Sequence, residues 1–141
     1  MHTSRRRRGA NAVEFALTFP IFMMIVLGTI DFGWLAWNRT SLVSAAATAC
    51  RSGSTRDPGV GSGSMAAVYA FTRTQIETRM AADGLPCSPC TIVIDTVAAN
   101  PDRSLRCKVT RTAQPLTGFI QAISGGRTLT GTSVSRFEYQ R

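Results

Sequence analysis

Histidine and lysine are nearly missing from this 141-residue chain. His2 is the one histidine and Lys108 the one lysine, beside fifteen arginines. A single histidine at the second position leaves no material for a histidine-based acid–base pair or triad. GxSxG, HExxH and a phosphate-binding glycine loop are also missing. Catalysis therefore finds no support; we expect a protein that is not an enzyme and carries no cofactor. Acidic residues are scarce, eight against sixteen basic ones, for a net charge of +8. Charged residues reach only 17% and hydrophobic ones 44%, which excludes a disordered polar chain. The length admits one modest domain, or a membrane segment with a small domain, and excludes a large multidomain enzyme.

A basic balance often points to nucleic acid. Here half of it comes from four consecutive residues, Arg5, Arg6, Arg7 and Arg8, placed just before an apolar run. That placement speaks for membrane topology, with no nucleic acid partner. Phe15 to Ile30 carries no charge. Extended to Ala10–Trp37, with Glu14 and Asp31 near its limits, the run is long enough as a helix to cross a hydrocarbon core of ~30 Å. Trp34 and Trp37, three apart on one helix face, suit the membrane–water interface. Asp31 belongs to the same belt, read as a solvated interfacial acid or as a partner for Arg39 or a neighbouring helix. The positive-inside rule keeps Arg5–Arg8 in the cytoplasm and sends the carboxyl terminus across the membrane. A soluble core helix is seldom flanked by four arginines. A cleaved secretory signal needs its small-residue site close behind the apolar run, whereas Ala45-Ala46-Ala47 lies far past Ile30. Ala47-Thr48-Ala49-Cys50 is equally distant for a lipoprotein box. A plain signal anchor remains the competing reading.

Glu14 separates the readings, because a carboxylate inside an apolar run is costly to bury and defaults to a functional role. If a peptidase cuts after Gly9, Ala10 becomes the new amino terminus and Glu14 its fifth residue. The new α-amino group of one subunit could then pair with Glu14 of the next. Such a pair offsets part of each group's desolvation cost and sets an axial stagger between subunits.

These residues resemble a known family. A basic stretch, a glycine, a glutamate at the fifth position after it, then Phe and an apolar helix looks like the type IV prepilin class. RRGANAVEFALTFPIFMMIVLGTIDFG more closely resembles the TadE-like pseudopilins of tight-adherence (Flp, type IVb) pilus systems. The matching positions are Arg8, Gly9, Val13, Glu14, Phe15, Ala16, Pro20, Asp31, Phe32 and Gly33. The alanine-rich stretch to Cys50, Arg51, Ser52 and Gly53 also fits, as do Pro115-Leu116 and the final Leu129–Glu138. The resemblance implies a minor pilin of the bacterial inner membrane, cleaved by a prepilin peptidase between Gly9 and Ala10. It implies Glu14 and Phe15 as assembly contacts, and a role in pilus assembly and adhesion. Its implied partners are membrane lipid, the prepilin peptidase, other pilins and pseudopilins of the system, and the inner-membrane secretion platform. The alternative is an unprocessed single-span protein with a periplasmic interaction module.

Beyond the span, Leu42, Ala45, Ala46 and Ala49 fall at i, i+3, i+4 and i+7, which extends one long helix over about 11–52. Ser52–Ser64, dense in Gly and Ser, reads as a linker. Met65 to Ala82 reads as an amphipathic helix with Met65, Val68, Tyr69, Ile76 and Met80 on one face, Ser64 as its cap and Gly84 past its end. Thr91–Val97 is β-branched, Asn100-Pro101-Asp102 a turn, and Leu105–Thr112 an alternating second strand. Leu116–Ile123 reads as a short helix or turn ended by Gly125-Gly126, and Arg127–Glu138 as a third strand. The expected fold is α+β: a basic leader over 1–9, a membrane helix over 10–37, its extension to 52, a linker, and a periplasmic domain over 65–141 with a short antiparallel sheet.

A domain this small gains from cross-links, and Cys50, Cys87, Cys90 and Cys107 supply candidates. An even count outside the cytoplasm favours disulfides, with three pairings open. A redox-active CxxC normally opens a helix after a strand, while Cys87-Ser88-Pro89-Cys90 precedes a strand. A zinc site would want a second CxxC, which is missing.

Overall fold

The computed structural model describes residues 4–56, 64–99, 102–113, 115–118 and 125–138. The order is α1 (Ser4–Ser54), α2 (Met65–Ala82), β1 (Cys90–Ala99), β2 (Asp102–Ala113) and β3 (Arg127–Arg136). The fold is α+β, as the sequence predicts. α1 is one continuous helix that passes through Pro20. In its first half Val13, Phe15, Leu17, Ile21, Phe22, Met24 and Ile25 are all exposed. From Asn11 onward it is the one helix among the described residues long and apolar enough to cross a membrane.

The second half of α1 is the spine of the domain. Leu42, Ala45, Ala46, Ala49 and Cys50 are buried, which is the stripe that the 3.6-residue period demands. Small side chains here let a sheet approach closely. β1, β2 and β3 form an antiparallel meander in that spatial order. Leu105, Cys107, Val109 and Ala113 alternate along β2 and are buried, so one face of the sheet lies on the helices and the other meets solvent. α2 packs beside α1 through Val68, Thr72, Ile76 and Met80. Thr72 is tolerated there because its hydroxyl donates to the Val68 carbonyl at 2.7 Å. Tyr69 reaches β1, its hydroxyl 3.4 Å from Thr96 Oγ1. The Ser64 side chain makes no capping bond; its carbonyl accepts from the Ala67 and Val68 amides instead.

Three contacts fix the direction of the sheet along α1. A Cβ at Gly53 would run into Thr72 Oγ1 and Leu105 Cδ2, so the start of β2 lies at the far end of α1. A Cβ at Gly131 would lie 2.9 Å from the Leu42 carbonyl carbon and oxygen, so the middle of β3 crosses α1 at Leu42. The Thr117 amide donates to Asp31 Oδ1 at 2.7 Å, so the chain after β2 returns to α1 at Asp31. β2 therefore descends along α1 and β3 climbs back beside it, until the Glu138 amide meets the Ser54 carbonyl at 3.5 Å.

The three strands are longer or shorter than expected by a few residues, and α1 runs two residues past its predicted end at 52 because Gly53 is part of the core. The Asn100-Pro101 part of the predicted turn and the 119–124 part of the predicted helix or turn lie outside the described residues.

Candidate functional site

The amino-terminal half of α1 is where the sequence concentrates its functional residues. Arg5–Arg8, Gly9 and Ala10 all lie within α1; their side chains are outside the described residues. Glu14 is exposed on the helix, and Phe15 is 65% exposed. The Phe15 and Phe19 rings, one turn apart, meet in a tilted contact with centroids 5.4 Å apart. Thr18 returns its hydroxyl to the Glu14 carbonyl at 3.0 Å. Among the described residues nothing covers this stretch, so its apolar surface is available to lipid or to another helix.

Asp31 corrects one expectation. It is no solvated interfacial acid: its exposure is 0%. Its Oδ1 accepts the Thr117 amide at 2.7 Å. A carboxylate oxygen facing a backbone N–H makes a charge-assisted bond, worth more than a neutral one. The turn over Pro115–Gly118 is thereby hung on α1 at a defined height. Gly118, at φ +75°, supplies the left-handed conformation there. Trp34 is half-buried and Trp37 is 55% exposed. Asn38 is buried and donates Nδ2 to the Trp34 carbonyl at 2.7 Å.

Beside the spine lies a groove of about 640 Å³ between α1 and the start of β3. Phe32, Leu35, Val43 and Leu129 give it apolar walls, and Arg39 and Arg127 are its charged lining among the described residues. Leu129 pairs with Arg111 across the sheet. Arg111 is part-buried on β2, with Nε and Nη1 lacking a hydrogen-bond partner among the described residues. Sequence reasoning missed both Arg111 and the groove. The strand alternation that marks Val109 and Ala113 as inward also places Arg111 inward, and that was the available signal.

The cysteines pair as Cys50–Cys107 and Cys87–Cys90. The first bridge joins α1 to β2 with Cα atoms 5.8 Å apart, an ordinary disulfide spacing. The second closes the CxxC on itself ahead of β1. No cluster of metal-ligating side chains occurs among the described residues. On the solvent face of the sheet, Arg106 Nε donates to Asp95 Oδ1 at 2.8 Å, and Arg106 Nη2 donates to Asp95 Oδ2. That hydrogen-bonded guanidinium holds the Asp95 carboxyl below its ordinary value.

No curated protein and no solved structure matches the chain. Residues 9–51, which hold the glycine–glutamate spacing, the apolar run and the buried stripe of α1, match the family model described as TadE-like protein.

Proposed function

We propose that the chain is a pseudopilin of a tight-adherence type IVb pilus, anchored in the bacterial inner membrane by the first half of α1. Its leader stays in the cytoplasm and the domain built on the second half of α1 stands in the periplasm. A prepilin peptidase removes residues 1–9, freeing the Ala10 amine, and Glu14 of one subunit pairs with that amine of another. The protein then packs helix-to-helix with pilins and supports pilus assembly and adhesion. The observation that carries this reading is the match of residues 9–51 to the TadE-like family model. It is supported by a helix half left bare by the fold, with Glu14 exposed near its start. A carboxylate on a lipid-facing helix calls for a partner, and the fold supplies none among the described residues.

The mass of the protein, purified from membranes of cells that contain its peptidase, tests the reading. Loss of residues 1–9 is the expected result, and a bulky residue at Gly9 should abolish it. An intact leader sinks the processing step and leaves a single-span anchor. Glu14→Ala should still be cut but fail to enter pili; normal pili from that variant refute the pairing.

A further inference from the structure

We infer that the lower end of the domain is a foot that rests on an anionic phospholipid surface. The inference depends on the membrane span proposed above. At ~1.5 Å per residue, Asn11–Ile30 measures ~30 Å, the thickness of the hydrocarbon core. Asp31 is the next residue, and it holds the Thr117 amide. The Pro115–Gly118 turn is thus fixed at the height where hydrocarbon ends and headgroups begin. The turn presents Leu116 at 63% exposure, and Phe32 beside Asp31 is 71% exposed. Both side chains would bury apolar surface if the turn met the hydrocarbon edge.

Charge agrees with this placement. Arg39 and Arg127 line the groove that starts at Phe32, and among the described residues no acid lines it. Arginine stems lie along apolar surface while their heads reach phosphate. A second copy docked by the same groove would set arginine against arginine, whereas headgroup phosphates supply the missing negative charge. Apolar residues at the edge of the hydrocarbon with arginines above them are the arrangement of an interfacial anchor.

The full chain, reconstituted in vesicles, carries the test. All four cysteines are paired, so an added thiol can be labelled alone with an environment-sensitive fluorophore. Probes go at Leu116→Cys, at Val134→Cys on the outer sheet face, and at Ile25→Cys in the span. In vesicles containing phosphatidylglycerol, the probe at 116 should be blue-shifted and protected from aqueous iodide, and the probe at 134 should not. Removing either arginine (Arg39→Gln or Arg127→Gln) should lower the docked-to-undocked ratio ~5-fold, the equivalent of ~1 kcal/mol per arginine near an anionic surface. A probe at 116 as open to iodide as the one at 134, with the probe at 25 shielded, overturns the foot and leaves the span standing. Equal protection in purely zwitterionic vesicles overturns the role of the arginines. A probe at 25 open to iodide overturns span and foot together.

Discussion

Removing the two disulfides one at a time should separate them sharply. Cys50 and Cys107 are 57 residues apart in sequence, and Cys87 and Cys90 are three apart. The loop-entropy relation gives ~4 kcal/mol for the long loop and ~1.6 kcal/mol for the short one. Burial adds to the difference. Cys50 and Cys107 are both fully buried in the core, so alanine at both positions also loses packed sulfur, whereas Cys87 and Cys90 are only part-buried at the domain edge. Cys50→Ala/Cys107→Ala should therefore lose upwards of 4 kcal/mol, a large share of the ~5–15 kcal/mol typical of a folded domain. Cys87→Ala/Cys90→Ala should lose under half as much. Urea unfolding of the full chain in detergent micelles, followed by near-ultraviolet circular dichroism, reads both midpoints. Equal losses, or a larger loss for the CxxC variant, would refute the argument from loop length and burial.

Three further expectations follow from packing and charge. Gly131→Ala places a Cβ against the Leu42 backbone, which cannot move aside as a side chain can, and should cost ~1–3 kcal/mol in the same unfolding assay. Asp31→Ala removes the acceptor of the Thr117 amide and should speed hydrogen exchange at that amide roughly tenfold or more. Asp31→Asn, which keeps an acceptor oxygen, should exchange closer to wild type. Asp95 has a folded pKa below its unfolded one because of Arg106, so its contribution is present above the ordinary aspartate range and is lost as pH falls through the folded value. Asp95→Asn should flatten the acid limb of melting temperature against pH slightly, and added salt should erase the difference, since the pair is exposed.

The elements were legible where local period and burial agree. Leu42, Ala45, Ala46 and Ala49 were picked out by spacing alone and are all buried. The limits of α2 match because Ser64 and Gly84 bracket an amphipathic run. The sheet was legible because its β-branched stretches are separated by turn residues. What was not legible depends on meetings between distant residues. Asp31 looks like an interfacial acid until Thr117, 86 residues later, is laid against it. Four cysteines allow three pairings, and only the descent of β2 along α1 brings Cys107 to Cys50. Gly53 and Gly131 look like linker and strand glycines until the helix and sheet pressed against them are known.

The continuity of α1 also has a mechanical meaning. A pull on the membrane half travels along one continuous helix, through Pro20, into the core. Since β3 climbs beside α1, that pull loads the helix–sheet interface in shear, so many contacts must slip together instead of peeling one by one. The Cys50–Cys107 bridge is a covalent stop on such slippage, tying the moving rod to the central strand. Anchor and domain thus behave as a single strut, suited to passing axial force without unfolding.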